Sequence, residues 1–166
     1  MTLQTTNPHM PRWIVASMTD WFENTVNASI TSAPEFDVTG YDLKEGEEER
    51  DHIEMRIQGP YLKDNPGWEV HEVPINFLMT FRQDEVKDPY TLDRWLGVYQ
   101  EALRKPLLVN RCGNGPDDDD SLIGCLGPKR SKREFLRVDR YGYVKNGTNI
   151  QQATVGGVLD MWIPWV

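Results

Sequence analysis

Between Asp51 and Arg82 the apolar and polar positions alternate in a way that predicts two antiparallel strands. In the first arm Ile53, Met55 and Ile57 are apolar, while Glu54, Arg56 and Gln58 are polar. A period of two is what a half-buried strand requires. Asp64-Asn65-Pro66-Gly67 supplies turn residues. The second arm, Trp68 to Phe81, then sets Val73, Ile75, Phe77, Met79 and Phe81 on one face. Trp68 and Val70 have the opposite parity, so a bulge is expected near Val73-Pro74, where Pro74 lacks the N–H a ladder needs. A bend there would carry this hairpin away from the sheet, towards a neighbouring subunit.

Helical periodicity takes over on either side. Residues 1–10 read as an extended arm, and Pro11 suits the first turn of a helix, where its missing N–H does no harm. Trp13, Ile14, Ser17, Met18, Trp21 and Phe22 then share one stripe that ends near Asn27. Such a stripe packs on a sheet, or places Trp13 or Trp21 at a subunit interface. Thr31 to Pro34 breaks the helix, Phe36 to Tyr41 is a short strand candidate, and Glu45 to Glu49 is a loop. Asp88 as N-cap and Pro89 as first helical residue open a second helix through Leu92, Trp95, Leu96, Tyr99 and Leu103, which Pro106 stops. Leu107-Leu108-Val109 returns to the sheet as a short strand.

Arg111 to Arg133 reads as a loop-rich insertion with four glycines and two prolines. Phe135 to Val144 pairs with Asn149 to Ile163 across Lys145 to Thr148, because Asn146-Gly147 between apolar runs is a strong hairpin signal. The final arm is long for one strand, so a kink is expected at Gly156-Gly157. Its end, Met161 to Val166, is too apolar to be left in water. Together these elements predict one α+β domain over residues 1–166. Its mainly antiparallel (mixed) sheet is built from two long hairpins, with two helices on one face.

Charge changes this picture most. The net charge is −8, which disfavours non-specific coating of nucleic acid. From Glu35 to Glu54 there are nine acids against two bases, and from Lys129 to Lys145 seven bases against two acids. These blocks are either two solvated faces or complementary patches suited to head-to-tail packing of copies. On the second reading Glu47, Glu48 and Glu49 would meet Lys129, Arg130, Lys132 and Arg133 across a subunit interface, with Trp162, Pro164 and Trp165 as apolar anchors. As a nucleic-acid contact the basic run lacks interleaved aromatics and sits near the acidic run Asp117-Asp118-Asp119-Asp120. The start of the chain has no apolar signal core, and no apolar run approaches membrane-spanning length, which together point to folding in a reducing cytoplasm without a membrane.

Candidate chemistry adds little. His9, His52 and His71 lack metal-ligand spacing with Cys112 or Cys125, although His52 and His71 could face each other across the first hairpin. The two cysteines are too few for a disulfide framework. The three adjacent glutamates lack the alternating oxygen ligands of a calcium loop, and the four aspartates are like charges without backbone shaping, which stay hydrated. Gly113-Asn114-Gly115 is followed by no Gly-Lys-Ser/Thr, and there is no Gly-x-Ser-x-Gly elbow. Neither cofactor nor metal is expected, and an enzymatic role would need a pocket with perturbed carboxylates.

The order of elements resembles the small tail-terminator and head-to-tail joining proteins of long-tailed bacteriophages. Ile53-Glu54-Met55-Arg56-Ile57-Gln58-Gly59-Pro60, the strand Val73 to Phe81 and the helix after Pro89 carry part of the resemblance. Asn149-Ile150-Gln151-Gln152-Ala153-Thr154-Val155 and the strand that follows carry the rest. It implies a non-enzymatic virion protein of the tail or neck, assembled in the host cytoplasm. Copies would form a homo-oligomeric ring, commonly a hexamer, that caps the tail tube and contacts the tube protein and the head connector or stopper. DNA would cross it only as transiting genome, and Asp117 to Asp120 are candidates for an acidic lumen that repels phosphates. A capsid decoration or minor tail protein is the structural alternative. Because the aspartate run is expected to be solvated, replacing Asp117 to Asp120 with asparagine should change unfolding free energy by no more than about 0.5 kcal/mol; denaturant melts would expose a larger loss.

Overall fold

A computed structural model describes residues 8–38, 50–111, 121–129, 136–143 and 149–164, leaving aside the side chains of Asp64, Asn65 and Pro164. The described strands form an eight-stranded mixed sheet, and two α-helices cover one of its faces. The strands are β1 (Glu35–Val38), β2 (His52–Ile57), β3 (Tyr61–Asn65), β4 (Trp68–Arg82), β5 (Leu107–Asn110), β6 (Leu122–Pro128), β7 (Leu136–Tyr143) and β8 (Ile150–Pro164). The helices are α1 (Met10–Trp21) and α2 (Thr91–Arg104). The order across the sheet is β1-β2-β4-β8-β6-β5; β3 also pairs with β4 and β7 with β8. Only β1 and β2 run parallel.

Two strands of 15 residues, β4 and β8, form the spine. They pair without a slip from Trp68↔Pro164 to Arg82↔Ile150. This unbroken register puts Val73, Ile75, Phe77, Met79 and Phe81 on the same face as Ala153, Val155, Leu159 and Met161, all of them buried. The expected kink at Gly156-Gly157 does not interrupt the ladder. Gly156 serves a close approach instead: a Cβ there would lie 2.6 Å from the Ile75 carbonyl oxygen.

Nor is there a bulge within β4. Arg56↔Asn76 and Ile57↔Ile75 continue as Tyr61↔Glu72, so Gln58, Gly59 and Pro60 face only Pro74 and Val73. The extra residue is on the opposite arm, where Gly59 has φ 79° before a cis Pro60. Gln58 N–H donates to the Pro74 carbonyl at 3.0 Å. N–H and C=O of one strand residue point to the same side, so the N–H that Pro74 lacks would face this interruption. A proline is therefore tolerated in a central strand, and β4 stays in the sheet for its full length rather than bending towards a neighbour. Pro66 and Gly67, with φ 81° at the glycine, close the β3–β4 turn.

Local sequence explains the helices. The stripe Trp13, Ile14, Ser17 and Met18 is buried, and a π-turn (Phe22–Val26) and a 3₁₀ turn (Asn27–Ser29) extend it to bury Phe22 and Val26. Buried Asn27 finishes it, donating to the Pro34 carbonyl at 2.8 Å and accepting from the Tyr99 hydroxyl at 3.1 Å. Burial alone pushes the Tyr99 phenol far above its ordinary range, so it remains a donor. The second helix starts later than expected, at Thr91. Asp88 caps the preceding turn, accepting from Tyr90 N–H at 2.9 Å, and its carbonyl accepts from the Thr91 N–H and hydroxyl. Phe22, Phe77 and Tyr99 meet as a ring cluster, with Phe22–Phe77 and Phe77–Tyr99 centroids 4.6 Å apart, and Phe81 meets Trp95 edge-on at 5.5 Å.

The segment expected to be a loop-rich insertion contains β6, which places Leu126 in the core and pairs with both β5 and β8. At the outer edge, Ser17 Oγ accepts from Asn110 N–H at 3.1 Å and approaches its carbonyl at 3.4 Å. In β7 a register shift lies between Arg140 and Gly142, and the joining residues 144–148 fall outside the described residues. Gly156→Ala should cost about 2 kcal/mol or more, because backbone must move to admit the methyl group. Gly97→Ala, on an exposed helical site with open space, should gain about 0.5–1 kcal/mol. Equal effects of these two substitutions in thermal unfolding would contradict the proposed role of Gly156.

Candidate interaction surface

No described helix covers the other face of the sheet, which carries the even-numbered positions of β4 and β8. At the end where Trp68 pairs with Pro164, it is aromatic. Trp68 and Trp162 are exposed and meet edge to face, centroids 6.3 Å apart, and Val70 on this face is buried. Register places Tyr61 opposite Glu72 and Lys63 opposite Val70, so both share this end of the face. Lys129, just past β6, reaches over β8 to the same place.

One carboxylate organises the polar part. Glu72 Oε2 accepts from Lys129 Nζ at 2.5 Å and from Lys63 Nζ at 2.8 Å. The hydrogen bond from Lys129, then that from Lys63, holds the Glu72 carboxyl below the usual glutamate range, against a smaller opposing effect of burial. Glu72 in turn raises the Lys129 ammonium above the usual lysine range. Further along the face, a hollow of about 620 Å³ is lined by Asn76, Arg137, Asp139, Tyr141, Thr154 and Gly156, among others. Its charges pair internally, Arg137 Nε to Asp139 at 2.8 Å, and the Tyr141 hydroxyl lies 3.3 Å from Thr154 Oγ1. Among the described residues that line this hollow, no nucleophile is paired with a base, and the one carboxylate, Asp139, is occupied by Arg137.

The structure separates the sequence-predicted candidates. Glu47, Glu48, Glu49, Asp117, Asp118, Asp119, Asp120, Arg130, Lys132, Arg133 and Trp165 lie outside the described residues. Lys129, Trp162 and the backbone of Pro164 converge on the aromatic end. Lys63, Trp68 and Glu72 complete it and were not anticipated. Their common parity around the Pro66-Gly67 turn is the only sequence signal for them. The two histidines do not meet: His52 pairs in register with Thr80 and His71 with Leu62. Buried His71 contacts the Glu69 carboxylate, and His52 Nδ1 lies 2.9 Å from the Arg50 carbonyl.

Cys125 is an exposed thiol. Among the described residues, no three His, Cys, Asp or Glu side chains are grouped to hold a metal, and no helix is long and apolar enough to cross a membrane. The acidic stretch begins on β1 and ends on β2, at one edge of the sheet, while the basic stretch starts after β6 and includes β7 on the far side of β8. Comparison with known proteins returns no matching family model and no matching curated relative.

Glu72 gives a pH test. A carboxyl with a lowered folded pKa contributes stability above its unfolded pKa and loses it as pH falls through the folded value. Both lysines are partly exposed, so Glu72→Gln should cost about 0.5–1 kcal/mol at neutral pH. That difference should vanish in acid, below the usual glutamate range. A constant difference across chemical denaturation from neutral pH to pH 3 would show that the ion pairs contribute nothing.

Proposed function

We propose that the protein is a structural subunit whose copies assemble head to tail into a closed ring. What carries this reading is the charge pattern of the sequence set against the strand order. Acidic sequence flanks the β1–β2 edge, and basic sequence flanks β6 and β7 beyond β8. Two different, complementary surfaces on one subunit make heterologous contacts, which repeat in one sense and close into a ring when the rotation allows. The exposed Trp68–Trp162 pair supports the same reading, since paired exposed aromatics rimmed by polar groups mark protein contact sites.

Within that class, the ring of a bacteriophage tail terminator or neck joining protein is the reading that the resemblance favours. The subunit would sit in the virion between tail tube and head connector, end tube growth, and bind neither cofactor nor membrane. Its catalytic contribution would be nil. DNA would pass through the ring rather than be read by it.

Light scattering and native mass spectrometry test the assembly. At low ionic strength the mass should be a closed multiple of the 19.2 kDa chain. It should fall towards the monomer between roughly 0.1 and 1 M salt, as the screening length shrinks from about 10 to about 3 Å. A monomer at high concentration and low salt would sink the reading. The phage assignment has its own readout: tails assembled without the protein should vary in length.

A further inference from the structure

We infer that the outer edge of β3 pairs with the same edge of a second copy, antiparallel about a two-fold axis. Ladder geometry defines what this edge offers. Gln58 N–H donates to the Pro74 carbonyl and Arg82 N–H to the Asp51 carboxylate, so even-numbered residues of β4 turn their peptide groups towards β2 and β3. Glu72, Val70 and Trp68 therefore bond to their register partners Tyr61, Lys63 and Asn65. The alternate residues, Leu62 and Asp64, turn their N–H and C=O groups outward, together with the Pro60 carbonyl. Among the described residues, no strand takes that side of β3.

The other rims are defended. On β5 the Ser17 hydroxyl occupies the Asn110 N–H. β7 carries Arg137, Arg140 and a register shift before Gly142, and β1 carries Glu35 and Asp37. Charges and bulges are common defences of a sheet edge. β3 instead exposes an apolar or aromatic side chain on each face. Tyr61, 50% exposed, is on the helix-free side, and Leu62, 45% exposed, is on the other. Lys63 between them is held by Glu72.

The edge sequence also selects a register with itself. With Leu62 opposite the second copy's Leu62, their N–H and C=O groups bond reciprocally, and each Asp64 N–H meets the other copy's Pro60 carbonyl. Every outward N–H of both strands is then satisfied. Leu62 packs on its counterpart, and each Tyr61 lies opposite the other copy's Lys63, a cation beside an aromatic ring. Setting Lys63 opposite Lys63 would make as many hydrogen bonds. It would place like charges in the closer, non-hydrogen-bonded kind of pair, which is destabilising. This contact does not depend on the ring reading. A head-to-tail ring has no such two-fold, and where both hold the two-fold joins rings in pairs.

So short a seam belongs at the low end of interface size, so the full-length chain is studied by sedimentation equilibrium at high concentration. At about 1 M salt, where exposed charges are screened, a monomer–dimer equilibrium should remain. Leu62→Pro deletes an N–H that the chain's own ladder does not use, so the fold should persist by circular dichroism. The dimer dissociation constant should rise roughly tenfold or more, because the central pair loses both of its hydrogen bonds. Leu62→Lys, which keeps the N–H but sets like charges at the two-fold, should weaken the dimer similarly. Tyr90→Ser, an exposed aromatic elsewhere, should change nothing. Register is read by mild oxidation in a Cys112→Ser, Cys125→Ser background. Leu62→Cys should form an intermolecular disulfide, since the Cα atoms of such a pair lie about 5.5 Å apart. Lys63→Cys should not, because its own copy lies two residues out of register, beyond about 7 Å. A disulfide through Lys63→Cys but not Leu62→Cys overturns the register. A chain monomeric at high concentration and salt, or a dimer indifferent to both Leu62 variants, overturns the contact and leaves the ring reading to its own test.

Discussion

The fold depends on one ladder, the fifteen consecutive residue pairs between β4 and β8. Because no pair slips, parity is conserved from one end of the sheet to the other, and a single rule assigns every side chain to the helix side or the open side. Gly156 permits this by letting β8 pass beneath the Ile75 carbonyl. Each long strand carries two short ones end to end on its outer side, β2 and β3 on β4, β7 and β6 on β8. The ladder thus sets the core and also decides which charged segments lie on which side.

The sequence displayed whatever depends on a local period. The apolar faces of β4, α1 and α2 could be read directly, since their burial repeats every two residues or about every 3.6. β6 was hidden because its only deeply buried side chain is Leu126, in a run between acidic and basic clusters. The misplaced bulge has a different cause. The change of parity at Val70 suggests a change of register, whereas β4 pairs without a slip there and buries residues on both faces, Val70 on the helix-free face and Val73 in the core. The real insertion is announced by Gly59-Pro60 on the neighbouring arm.

The candidate surface was legible only in part, for the same reason. Trp162 and Lys129 stand out as an aromatic end and a basic run. Glu72 looks like one more polar strand residue until Lys63 arrives across the turn and Lys129 from 57 residues away. Long-range convergence leaves no period in a sequence.

The contact between Ser17 and Asn110 has a consequence for growth of the sheet. Arg111 N–H donates to Ser121, so alternate residues, Asn110 and Leu108, turn their peptide groups outward from β5. With the Asn110 N–H occupied by a helix side chain, this rim offers an incoming strand little beyond the groups of Leu108. One hydroxyl thus acts as a selvedge, finishing the fabric on one side. Unregulated strand addition is discouraged there.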